Sequence, residues 1–98
     1  MKLLPTEMCL TGKWLLKDGR VVADEVCVRI EGLTRNHLRE LGHDASGWDA
    51  LFVDPNDGRL WELVYPESGL HGGGAPQLRH LASAQAKEKY GSIVPGSD

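Results

Sequence analysis

Cysteine is scarce in this chain: Cys9 and Cys27 are the only two among 98 residues, and they stand far apart. Neither has a partner at the two-residue spacing typical of structural zinc sites, so at most one disulfide could form. Long apolar runs are missing as well. None approaches the roughly 20 residues of a membrane span. The opening stretch MKLLPTEMCLTGKW is broken by Pro5, Glu7 and Lys13 before a signal-peptide core can form. A cytoplasmic protein without membrane contact is expected, with both thiols reduced and buried. An excess of positive charge is also lacking. Eleven Lys and Arg face fourteen Asp and Glu, for a net charge of −3, so the basic footprint of a nucleic-acid binder is absent and direct nucleic-acid contact is not expected.

Catalytic patterns are missing too. HGGGAP (residues 71–76) matches the oxyanion loop of some esterases, in which backbone N–H groups hold a tetrahedral intermediate. That chemistry needs a nucleophile elbow, and Ser46 in DASGW and Ser68 in PESGL both lack the upstream glycine. Phosphate gripping fails on the same test, because Gly12-Lys13 runs into Trp14 and no Gly-Lys-Ser/Thr follows the glycines. His37, His43, His71 and His80 include no pair at helical metal-site spacing. Asp54, Asn56 and Asp57 resemble the head of a calcium loop, yet Gly58 falls where an oxygen ligand belongs. The expectation is a non-enzyme with no metal and no cofactor. Gly72, Gly73 and Gly74 then serve as a structural loop where two chain segments cross closely. The alternative is a small anion- or ligand-binding module, or an enzyme, that uses His71 and the Gly72–Gly74 amides.

What is present is a set of turns and periodicities. Asp18-Gly19 in LLKDGRVV signals a two-residue hairpin, with strands near 11–17 and 20–31. In EVCVRIEG, Val26, Val28 and Ile30 alternate with Cys27 and Arg29, the period of a half-buried strand. TRNHLRELG (34–42) reads as a short helix capped by Thr34, with Leu38 and Leu41 on one side and Gly42 at its end. The turn Asp54-Pro55-Asn56-Asp57-Gly58 joins a second hairpin, 48–54 with 59–65. PQLRHL supplies an extra strand. SAQAKEKYG reads as a second helix, capped by Ser83 and stopped by Gly91. The fold class is α+β: one small domain over 1–98, with an antiparallel sheet of two hairpins plus an extra strand, two short helices, an ordered core from about 8 to 92 and a frayed tail.

Trp14, Trp48 and Trp61, with Phe52, Tyr65 and Tyr90, are many aromatics for so short a chain. Alternation places Trp61, Leu63 and Tyr65 on one strand face and Trp48 and Phe52 on the hairpin partner, so each indole reads first as core. Tryptophan also favours binding hot spots, and Trp48 is the first choice for an anchor. The charge is uneven. Between Leu41 and Glu67, six carboxylates face Arg59 alone. An acidic face that steers a basic protein is the sharper reading of that imbalance, with Asp44, Asp49, Asp57, Glu62, Glu67 and His71 joining Trp48 as candidate contacts.

Taken together, TGKW (11–14), ADEVCVRIEGL (23–33), SGWDALFVDPNDGRLWELVYP (46–66), HGGGAPQL (71–78) and EKYG (88–91) resemble the immunity protein 27 family of bacterial polymorphic toxin systems. The combination of Gly-Trp, Asp-Pro-x-x-Gly-Arg-x-Trp-Glu and the glycine run is far more specific than any one piece. Ala75 departs from the proline many members carry there. The resemblance implies a small cytosolic antidote that binds the effector domain of a secreted toxin and has no enzyme activity. Occlusion of a basic toxin cleft by the acidic hairpin and its aromatic anchor is the mechanism expected from it.

Overall fold

A computed structural model describes residues 3–4, 6–66 and 74–94. The chain is α+β, with seven strands among these residues: β1 (Cys9–Thr11), β2 (Trp14–Lys17), β3 (Arg20–Ala23), β4 (Arg39–His43), β5 (Ala50–Val53), β6 (Leu60–Val64) and β7 (Gln77–Leu81). Two helices, α1 (Glu25–Asn36) and α2 (Ser83–Tyr90), precede a final 3-10 turn over Gly91–Ile93. Five strands form one antiparallel sheet in the order β1-β7-β6-β5-β4, while β2 and β3 pair separately. The chain enters this sheet at one edge, crosses its face through α1, re-enters at the far edge and meanders back to β1.

The sheet is covered on both faces, which is why β5 (ALFV) and β6 (LWELV) read as nearly continuous apolar runs. Ile30 and Leu33 of α1 pack with Leu3, Leu10, Phe52, Trp61 and Leu78 on one side. Ala86 and Tyr90 of α2, with Val94, pack on Leu51, Leu60 and Leu81 on the other. Leu3 and Val94 are both buried. Arg59 anchors the N-terminal segment, its Nη groups donating to the carbonyls of Glu7 and Leu4 at 2.9 and 3.0 Å.

The Asp18-Gly19 turn forms as expected, with both residues at positive φ (53° and 76°). Its hairpin is shorter than predicted, and it stands apart from the main sheet. The expected strand beyond Ala23 is instead the first half of α1. Asp24 caps that helix, its carboxylate accepting from the Cys27 amide at 2.8 Å, and burial follows Cys27, Ile30 and Leu33 at helical spacing. Val28, placed by alternation beside Ile30, points outward and is 58% exposed.

That shift also overturns the helix read over 34–42. Thr34 lies inside α1, its hydroxyl donating to the Ile30 carbonyl at 3.0 Å. Arg39–His43 is the edge strand β4, with a bulge between Glu40 and Gly42. Leu38 consequently joins the first core and Leu41 the second, on opposite sides of the sheet. Gly42 sits in this strand against Ile93, whose Cδ1 would lie 2.8 Å from an added Cβ. Ser83 begins α2 without capping it; the Ala82 amide donates to the Gln85 side chain at 3.1 Å. Gly91 ends the helix at φ 60°, as expected.

Candidate partner-binding site

Folding divides the acidic segment between the two ends of the sheet. Asp44, Trp48 and Asp49 lie in the turn between β4 and β5. Asp54 and Asp57 lie in the next turn, at the other end of β5. The first turn is held by its own side chains: Asp44 accepts from the Ser46 hydroxyl at 2.7 Å and the Gly47 amide at 3.1 Å, and Ser46 Oγ accepts from the Trp48 amide at 3.1 Å. The Ser46 hydroxyl is the main reason that the Asp44 carboxyl stays below its ordinary range, with the Asp49 and Gly47 amides adding to it against a desolvation cost. The consequence is a presented indole. Trp48 is 73% exposed.

Trp14 is also partly exposed, so the core reading of the tryptophans holds for Trp61 alone, which is fully buried. Trp48 borders a groove of about 370 Å³ with Asp49, Val64, Tyr65, Gln77 and Arg79. Tyr65 also lines an apolar groove of about 230 Å³ on the other side, with Trp14, Ala23, Ile30 and Leu63. From there the face of the β2–β3 hairpin continues the apolar surface through the opposed pair Leu16 and Val21, 78% and 69% exposed. Two tryptophans and a tyrosine therefore stand at linked grooves.

The other acidic candidates are placed differently. Glu62 is fully buried on the α2 side of the sheet, which removes it from any docking surface. Its Oε1 accepts from Arg79 Nε at 2.8 Å and its Oε2 from Tyr90 OH at 2.7 Å, and Lys89 Nζ closes on it from α2. Burial opposes its ionisation, but the Lys89, Tyr90 and Arg79 hydrogen bonds win and hold its pKa below the usual value. Burial, and then the bond to Glu62, pushes the Tyr90 hydroxyl up. Lys89 also reaches Asp49 at 2.6 Å and so ties the Trp48 turn to α2. Asp57, at the far end, pairs with Arg59 at 2.7 Å. Asp54 is buried, its Oδ1 accepting from the Asn56 amide at 2.8 Å with His37 Nε2 at 3.1 Å.

Glu67, His71, Gly72 and Gly73 lie outside the described residues. Gly74 is described and buried. Nearby, the Gly12 amide donates to the Pro76 carbonyl at 2.9 Å. Both thiols are free, but Cys9 is exposed against expectation and Cys27 alone is buried, its Sγ 3.5 Å from the Lys13 carbonyl. Among the described residues no three His, Cys, Asp or Glu side chains cluster to hold a metal ion. No described helix is long and apolar enough to cross a membrane.

Sequence reasoning missed Tyr65 and Arg79 as surface groups. Alternation placed Tyr65 with the core residues Trp61 and Leu63, although it sits just past the end of β6 and is 37% exposed. Arg79 carried a signal that went unused: an arginine in a strand next to the buried Leu78 must face either solvent or a buried acid, and it does both.

Residues 16–82 match the family described as Immunity protein 27, and the chain belongs to that family. No curated protein and no solved structure shows a significant match.

Proposed function

We propose that this member of the Immunity protein 27 family neutralises a cognate toxin by binding its effector domain and covering the active site, with the Trp48 end of the sheet as the docking surface. Trp48 carries the reading. A 73% exposed indole, on a turn fixed by Asp44 and Ser46 and braced through Asp49 and Lys89, is a large apolar group already ordered in the free protein. Exposing it costs solubility, while its preorganisation lowers the entropy lost on binding. Tyr65 and the two grooves extend the surface.

Asp44 and Asp49 flank this anchor, and Glu67 and His71 belong to the connection between β6 and β7, whose described ends lie at the same end of the sheet. These carboxylates steer a basic toxin domain toward the anchor. Asp57, at the opposite end and paired with Arg59, takes part in the field but not in the contact. The role is stoichiometric binding in the cytoplasm, without catalysis.

The test is titration of the toxin domain encoded beside this chain with the purified protein while toxin turnover is followed. Activity should fall linearly to zero at a fixed molar ratio, and co-expression should restore growth of toxin-producing cells. Full toxin activity at a several-fold excess of this protein would contradict the reading.

A further inference from the structure

Arg79 is held through one nitrogen by a buried acid. It stands opposite Glu62 across β6 and β7, and its Nε donates to Glu62 Oε1 at 2.8 Å. Its side chain is 46% exposed, and among the described residues no acceptor meets its Nη groups. Arg79 borders the Trp48 groove, where Gln77 and Tyr65 form other parts of the wall. Glu62 does not cancel this cation alone, because the same carboxylate also accepts from Tyr90 and faces Lys89. The guanidinium is thus anchored through Nε by a buried acid, in a half-exposed side chain that lines the groove.

We propose that Arg79 is a specificity-determining residue that receives one carboxylate of the toxin domain, an Asp or Glu side chain bound end-on through Nη1 and Nη2 beside Trp48. Two parallel N–H···O bonds to a planar acceptor are the arrangement that arginine offers and lysine does not. A single acidic side chain fits better than a nucleic-acid backbone, since Asp49 lines the groove, Asp44 lies in the same turn, and both would repel a run of phosphates. The toxin surface that fits is therefore mixed: basic where it meets the carboxylate rim, and acidic at one point inside it. The indole and the fork together make a site that rejects a partner lacking that acid, because the arginine would then be covered without an acceptor. This inference rests on the antidote reading and on docking at the Trp48 end.

The experiment is calorimetric binding of the adjacent-gene toxin domain to the parent protein, Arg79→Lys, Arg79→Gln and Trp48→Ala, each first shown to melt as a folded protein. Arg79→Lys leaves Glu62 a cationic partner but removes the fork, and it should weaken binding at least about tenfold. Toxin variants with single surface carboxylates changed to amides are then crossed with Arg79→Gln. One of them should bind more weakly to the parent yet lose little more against Arg79→Gln, the sign of a direct pair. Unchanged binding by both Arg79 variants, with Trp48→Ala weakened, overturns the inference and leaves the docking surface standing. Additive losses for every amide variant overturn it too. So does Arg79-dependent binding of a single-stranded oligonucleotide, which would assign the site to phosphate. Absence of binding by the parent protein overturns the antidote reading itself.

Discussion

Glu62 and Arg79 face each other across β6 and β7, 2.8 Å apart at Oε1 and Nε, and one of the two is fully buried while the other is half exposed. The pair connects the inside of the α2 layer to the Trp48 groove. Glu62→Gln would present an amide N–H₂ where Arg79, Lys89 and Tyr90 all donate. Because Gln leaves Arg79 and Lys89 partly exposed to water and strands no buried charge, the cost is that of the weakened charge-assisted hydrogen bonds, about 1.5–3 kcal/mol, and urea denaturation should show a loss in that range. A loss below about 1 kcal/mol would mean that the cluster is not a structural joint between helix and sheet.

Acid should loosen the fold from the N-terminal segment. Arg29 donates to both carboxylate oxygens of Glu7 at 2.5 Å and, as the largest cause, holds its pKa at about 2 against an ordinary 4.5. A depressed carboxylate stabilises the fold above its unfolded value and stops doing so as pH falls through its folded value. The melting temperature should therefore drop as pH falls from 4.5 toward 2. Glu7→Gln should start lower at pH 7 and lose part of that slope; a slope identical to the parent's would remove this pair as its source.

The assignment of residues 25–36 to a helix has its own test. In a strand Val28 and Ile30 share a face, whereas in α1 Val28 is exposed and Leu33 is fully buried. Val28→Ala should change stability by no more than about 0.5 kcal/mol, and Leu33→Ala should cost about 2–5 kcal/mol. Chemical denaturation of both variants decides it: equal and large losses would favour the strand.

The part of the fold that sequence reading reached was the part written in turns. Asp54-Pro55-Asn56-Asp57-Gly58 and Asp18-Gly19 each dictate a local backbone whatever surrounds them, and strands follow on both sides. The misread stretch has no such punctuation. Over Val26–Ile30 an alternating pattern and a helical one both fit, and the decision falls to Asp24 as a cap and to Leu33 one turn further on. Misplacing α1 then displaced Thr34 and Leu41 from their true elements. The candidate site was legible in composition but not in space. Trp48 and Asp49 could be named, but a linear count of carboxylates could not show that Glu62 turns inward on a residue of β7 or that Asp57 ends at the opposite end of β5.

Steering by the acidic rim predicts that association with the toxin domain slows as salt rises past the point where the screening length is about 8 Å, while dissociation changes less. Stopped-flow rates at several salt concentrations measure both. An association rate that does not depend on salt would leave the rim without a role.

The central claim is that the toxin docks at the Trp48 end of the sheet. Its most direct test compares Trp48→Ala with Asp57→Lys, a change at the opposite end, in surface-immobilised binding kinetics against the adjacent-gene toxin domain. Trp48→Ala should raise the off-rate and cost at least about 2 kcal/mol of binding, and Asp57→Lys should dissociate as the parent does. Unchanged dissociation for Trp48→Ala together with faster dissociation for Asp57→Lys would contradict the claim and move the interface to the other end of the molecule.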